Sequence, residues 1–192
     1  MRELVFLLEE ESAKALLEGL LPRFLSLEIR TRFIVFEGKQ DLEKQLIRRL
    51  QRYANPRARF IVVRDQDSAP DCRLVKLKLR GLCRQAGREA NSLVRIPRRE
   101  LEAFYIADLS AVEQSLGVTG LASRQQCARF RQPDSVVSPS RELAKLTRGL
   151  YQKVSSSRTL GPILDLSNER SPSFRNLLSG IRRLEQELLG QA

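Results

Sequence analysis

Four nearly continuous apolar runs in the first half of the chain predict buried strands. The runs are Leu4–Leu8, Phe33–Phe36, Phe60–Val63 and Leu93–Ile96. Continuous apolar runs, unlike alternating ones, are typical of parallel strands that helices cover on both faces.

Apolar residues at helical spacing lie between these runs and predict helices. They are Ala13, Leu16, Leu17, Leu20 and Leu21, then Leu42, Leu46 and Leu50, then Val75, Leu79, Leu82, Cys83 and Ala86. Ser12 and Asp41 can cap the first two helices, Gly87 can end the third, and a fourth is expected over Glu100–Leu116. This alternation predicts an α/β fold with a parallel sheet and right-handed crossovers over residues 1–116.

The alternation stops after residue 116. Residues 117–140 resemble a polar loop, and Ser138-Pro139 and Ser171-Pro172 each place a capping serine before a proline at the first helical position. The second pair opens a helix whose inward residues are Phe174, Leu177, Leu178, Ile181, Leu184 and Leu188. We expect residues 117–192 to form a helical extension packed on the first domain, or part of one single domain.

The absence of histidine restricts the chemistry most strongly. It excludes serine–histidine and cysteine–histidine catalysis and nearly all zinc sites. Hydrolysis would therefore depend on carboxylates, lysines and oxygen-bound Mg²⁺ or Mn²⁺. Three widely spaced cysteines, no long apolar segment and no signal peptide predict a cytoplasmic protein without a membrane span.

Basic residues are unevenly distributed in this chain of net charge +11. Residues 73–99 contain nine lysines and arginines against the single acid Glu89, and residues 124–158 are also basic. These two basic segments could bind the phosphate backbone of a nucleic acid, either DNA or RNA. The alternative is an ordinary solvated basic surface, which has the same composition.

The acidic residues that suit a ligand site follow the first, third and fourth predicted strands. Glu9 follows the first, Asp65 and Asp67 the third, and Glu100 and Glu102 the fourth. Parallel sheets bind ligands at the carboxyl ends of their strands, and an extended Asp-x-Asp would direct both carboxylates to one side, where a divalent cation would offset their repulsion. The alternatives are acids at helix N-termini, simple turn formers and, for Glu102, an exposed helix position.

These positions resemble the Toprim fold shared by topoisomerases, bacterial primases and OLD-family nucleases. Leu7–Ser12 and Val62–Asp67 match its first-strand glutamate and its Asp-x-Asp, and Leu101–Phe104 resembles an acidic helix of OLD-type relatives. The family usually has glycine where this chain has Glu10. Phe36–Asp41 also resembles the glutamate motif, but the order of elements favours Glu9 over Glu37.

Nearly the whole chain resembles a bacterial family catalogued as domain of unknown function four-two-seven-six, whose members are often encoded beside an AAA-type ATPase. The matching segments are the glutamate-rich start, Gly38–Leu42, Arg64–Asp67, Arg99–Phe104, Tyr151–Lys153 and Arg170–Phe174. Lys153 resembles a lysine that OLD-type enzymes place near the scissile phosphate; the alternative is a surface lysine.

The resemblance implies metal-dependent hydrolysis of nucleic-acid phosphodiester bonds, with an ATPase partner in phage defence and a homodimer as further expectations. Glu9, Asp65, Asp67 and Glu102 would bind Mg²⁺ or Mn²⁺, and Lys153 would assist catalysis. Lys39, Arg64 and Arg141 are expected phosphate contacts. The rival is a non-catalytic nucleic-acid-binding or regulatory subunit with the same fold, followed by a primase-like nucleotidyl transferase.

Overall fold

A parallel sheet of four strands lies at the centre of the structure, a computed structural model that describes residues 1–190. The strands are β1 (Glu3–Leu8), β2 (Arg30–Val35), β3 (Arg59–Val63) and β4 (Ser92–Arg95), in the spatial order β2-β1-β3-β4. The predicted parallel sheet is confirmed. Strand β2 begins three residues before the predicted run, because Arg30 pairs with Glu3 at the start of β1.

Helices surround the sheet. They are α1 (Glu11–Leu20), α2 (Lys39–Gln51), α3 (Cys72–Gln85), α4 (Ala103–Ile106), α5 (Leu109–Leu116), α6 (Pro139–Leu146), α7 (Lys153–Leu160) and α8 (Pro172–Leu189). Within residues 1–190, none of them is both long enough and apolar enough to cross a membrane.

The two faces of β1 face two separate hydrophobic cores. Leu4, Phe6 and Leu8 pack in one core with residues of α1, α5 and α8, whereas Val5 and Leu7 pack in the other with residues of α2 and α3. This division follows from the period of two along a strand. The C-terminal helices share the first core with the sheet, and the domain boundary at residue 116 stays a prediction.

Several predicted helix boundaries are wrong. Glu100–Leu116 is two helices, because Asp108 breaks the run and caps α5 by accepting a hydrogen bond from the Ala111 amide at 3.1 Å. Helix α1 begins one residue before Ser12, with Glu10 at its N-cap. Helix α2 begins directly after Gly38, whose φ of 91° favours glycine, so Asp41 lies inside the helix.

Helix α7 is not predicted by the apolar pattern, because it contains the serine run 155–157. Two of these serines are buried and hold the start of the helix. The Ser156 hydroxyl accepts a hydrogen bond from the Gln152 amide at 2.9 Å, and the Ser157 hydroxyl donates one to the Lys153 carbonyl. Their role is structural.

Helices α1 and α7 approach each other so closely that only glycine fits at one position. A Cβ atom on Gly161 would lie 2.4 Å from the Leu16 carbonyl oxygen. The contact holds the two helices side by side, with Glu10 at the start of α1 hydrogen-bonded to Lys153 at the start of α7.

We expect Gly161→Ala to lower the free energy of unfolding by about 1–3 kcal/mol, because the added methyl group overpacks this contact. Gly81→Ala is the matched control, since Gly81 lies within α3 with open space around it. That change should stabilise by about 0.5–1 kcal/mol through helix propensity. Urea unfolding measures both, and equal effects would contradict the close packing of α1 on α7.

Candidate functional site

The strand order reverses direction at the carboxyl ends of β1 and β3. The chain leaves β1 for β2 on one side of the sheet and then returns to β3 on the other side. Ligand sites of open α/β sheets lie at this kind of topological switch point. Glu9 directly follows β1, and the segment Arg64–Asp67 directly follows β3.

Glu9 is fixed at this edge by hydrogen bonds to both neighbouring loops. Its side-chain Oε2 accepts a hydrogen bond from the Asp65 amide at 3.0 Å. Its carbonyl accepts one from the Gly38 amide at 3.0 Å. Glu9 is only 8% exposed, so its carboxylate is held within the fold.

Glu102 reaches the same edge from the start of α4 and is 1% exposed. Its Oε1 accepts a hydrogen bond from the Tyr151 hydroxyl at 2.7 Å. Its Oε2 is buried without a hydrogen-bond partner in the structure. A buried carboxylate oxygen without a donor is costly, so this atom is a ready ligand for a cation.

The carboxyl group of Asp65 lies within electrostatic reach of both Glu102 and Glu9. Burial raises the pKa of Asp65 well above its usual range, and the charges of Glu102 and Glu9 raise it further. Burial also raises the pKa of Glu9, against the hydrogen bond from the Asp65 amide, and the pKa of Glu102, against its hydrogen bond with Tyr151. Like charges crowded in a desolvated place are relieved by a bound cation.

The donors at this edge suit Mg²⁺ or Mn²⁺, because they are carboxylate oxygens and one of them has no partner. Within residues 1–190, however, no three acidic or cysteine side chains are already arranged around a metal position. Metal binding would therefore require a rearrangement of these side chains.

Asp67 adopts a different geometry from the extended one expected for Asp-x-Asp. Its φ is 54°, in the left-handed region, and its amide donates to the carbonyl of Arg99, itself at φ 60°. Aspartate tolerates this region better than most residues, and strained backbone is concentrated at functional sites. The Asp67 carboxylate forms an ion pair with Lys39 at 3.0 Å. The prediction of an extended Asp-x-Asp is therefore wrong. Strand periodicity does not direct the Asp65 and Asp67 carboxylates to the same side.

Lys153 is the first residue of α7, and its Nζ lies 3.0 Å from Glu10 Oε2. Burial lowers its pKa, but the hydrogen bond to Glu10 and the charges of Glu102 and Asp65 outweigh burial, so the pKa is raised. The lysine is thus charged and close to the acidic residues. The structure brings Glu9, Asp65, Glu102 and Lys153 together, and Asp67 forms its ion pair with Lys39 at the start of α2.

The expected phosphate contact Arg64 lies beside Glu9 and Asp65, whereas Arg141 lies outside this cluster. Arg64 is buried, with its guanidinium 3.6 Å from Glu43 on α2. Arg141 is exposed on α6 and lines a separate surface cavity of about 470 Å³. Glu37 is exposed, and Glu100 accepts a hydrogen bond from the Ser140 amide at 2.7 Å.

Two residues at the site were not predicted from the sequence. Tyr151 holds Glu102, and Glu10 holds Lys153. The sequence feature that could have indicated Tyr151 is its position two residues before Lys153 in the family motif. The feature that could have indicated Glu10 is its replacement of the glycine that is usual in the Toprim fold.

Comparison with known proteins identifies the family. Residues 8–182 match a family model described as Domain of unknown function (DUF4276). The chain belongs to this family. Its structure is similar to the C-terminal region of the Burkholderia pseudomallei OLD protein, with a TM-score of 0.55 and 16% identity over 95% of this chain and 98% of that chain. No curated protein matches the sequence. The predicted family and the Toprim-like α/β fold are thereby confirmed.

The raised pKa values determine how stability depends on pH in metal-free buffer. A carboxyl whose folded pKa is raised favours folding most below its unfolded pKa of about 4. The free energy of unfolding should therefore fall as pH rises from there through the raised values. Asp65→Asn should make the free energy of unfolding decrease less with pH and should raise Tm near neutral pH. Each kcal/mol of relieved repulsion corresponds to about 2–4 °C in Tm.

Asp165→Asn is the control for this titration. Hydrogen bonds from Ser167 lower the pKa of Asp165, so its contribution has the opposite sign and is lost as pH falls. Thermal unfolding across pH with a chelator measures both variants. A pH profile of Asp65→Asn identical to that of the wild type would contradict the buried repulsion.

Proposed function

We propose that the protein hydrolyses phosphodiester bonds of nucleic acid with Mg²⁺ or Mn²⁺ held at the carboxyl edge of the sheet. The observation that carries the proposal is the convergence of Asp65 with the buried residues Glu9 and Glu102 from three separate segments, with one carboxylate oxygen left without a partner. An arrangement that costs stability without a ligand indicates a ligand of opposite charge.

The acidic residues would supply the ligands. Glu9, Asp65 and Glu102 would bind the cation, and Asp67 could join them when its ion pair with Lys39 opens. A bound divalent cation would activate water and offset negative charge on the phosphate in the transition state. Tyr151 would keep Glu102 in place through the bond to its other oxygen.

The basic residues would hold the phosphate. The Lys153 ammonium is about half exposed and close to the carboxylates, so it can contact an incoming phosphate oxygen. Lys39 stands at the start of α2 beside Asp67 and can contact a neighbouring phosphate once released. The net charge of +11 supports nucleic acid as the substrate.

The biological setting is proposed from the resemblance alone. We propose a cytoplasmic homodimer that acts in phage defence under the control of an AAA-type ATPase. Co-purification with the neighbouring ATPase and cleavage assays with and without it test this part of the proposal.

Cleavage of plasmid, single-stranded DNA and RNA in Mg²⁺ or Mn²⁺ tests the catalytic proposal. We expect Asp65→Asn/Asp67→Asn to reduce product formation by about 100-fold or more, because two metal ligands lose their charge. Asp165→Asn, an exposed acid outside the site, should cleave like the wild type. Equal cleavage by all three proteins would contradict the assigned site.

A non-catalytic binding subunit is the second candidate. It is favoured by the absence, within residues 1–190, of acidic side chains already arranged around a metal position. Nucleic-acid binding without metal-dependent product, even with the ATPase added, would support it over the nuclease.

A further inference from the structure

Seven of the nine basic residues of 73–99 fall into two groups in the structure. Lys78 forms an ion pair with Glu43, and Arg80 and Arg84 form ion pairs with Glu89. The second group consists of Arg73, Lys76, Arg95 and Arg98, which line one cavity of about 540 Å³. None of these four forms an ion pair with any acid among residues 1–190.

The cavity lies between the start of α3, the exposed edge strand β4 and the start of α8. Its one acid is Asp134, and both oxygens of Asp134 are used within the fold. One oxygen accepts a hydrogen bond from the Ser171 hydroxyl and the other accepts one from the Ser173 amide at 2.9 Å. Asp134 therefore caps α8, and the cations of the cavity keep an excess of positive charge.

The cations also repel one another. Burial lowers the pKa of Lys76, and the charges of Arg95 and Arg80 lower it further. Arg95 is half-buried and donates to the Asn176 carbonyl at 2.8 Å, which fixes its guanidinium between β4 and α8. Four cations in a concave place with a single acid suit an anionic ligand.

The cavity adjoins the acidic edge. The amides of Gln66 and Asp67 donate to the carbonyls of Pro97 and Arg99, so the loop that carries Arg98 lies directly against the loop that carries the aspartates. Strand β4 neighbours β3, and neighbouring strands are about 4.8 Å apart. A polyanion that reaches Asp65 can therefore continue into the cavity.

We propose that Arg73, Lys76, Arg95 and Arg98 form a phosphate-binding subsite for the nucleic-acid strand beside the carboxyl cluster. The inference rests on the proposed function and deepens it, because the subsite holds the strand's backbone next to the phosphodiester bond at the acids. It contacts phosphate and not bases, so the sequence preference of binding is unaffected by its removal.

Fluorescence anisotropy with labelled single-stranded and duplex oligonucleotides, in chelator and over a range of salt concentrations, tests the subsite. The test variant is Arg73→Gln/Lys76→Gln/Arg98→Gln, in which Arg95 is kept because it supports α8. The control is Lys44→Gln/Arg57→Gln/Arg84→Gln, which removes the same charge from exposed positions outside the cavity. Circular dichroism verifies that both variants are folded, and the single variant Arg98→Gln serves if the triple variant is not.

We expect the test variant to bind at least about tenfold more weakly and to lose about 0.7–0.9 in salt slope for each phosphate contact removed. The control should stay within about threefold of the wild type with an unchanged slope. An equal loss of oligonucleotide affinity in the test and control variants would overturn the subsite. So would the absence of oligonucleotide binding by the wild type. Binding lost only in the test variant, with no cleavage by the wild type, would leave the subsite standing and reject the nuclease.

Discussion

The repulsion among buried carboxylates at the ends of β1 and β3 and the start of α4 is the constraint on which the site depends. Asp65 has the most strongly raised pKa, through burial and the charges of Glu102 and Glu9. The hydrophobic cores on both faces of the sheet hold these acids together despite the electrostatic cost. The proposed cation at this topological switch point would relieve that cost.

The C-terminal helices complete this site and do not merely cover the sheet. The tight contact of Gly161 with α1 positions α7, and α7 in turn places Lys153 beside Glu10. Tyr151, just before α7, binds Glu102 from the same side. Positive charge continues along the edge to the cavity between α3, β4 and α8, so that acids and cations lie along one path for a polyanion.

Local patterns predicted much of this architecture, since apolar runs and their spacing determine which strands are buried. The sheet, its parallel direction and the Ser171-Pro172 helix start follow from such patterns. The left-handed turn at Asp67 and the partners of Glu102 and Lys153 could not be predicted, because they depend on contacts between residues far apart in the chain. Helix α7 was missed because buried serines replace apolar residues in it.

Titration of Mn²⁺ followed by electron paramagnetic resonance tests the central claim most directly, because it reports metal binding without requiring cleavage. The account predicts that the wild type removes the free Mn²⁺ signal at a defined stoichiometry. It predicts that Asp65→Asn, with its fold intact, binds at least about tenfold more weakly because the central ligand charge is lost. Equal binding by both proteins, or none by the wild type, would contradict a metal site built on these carboxylates.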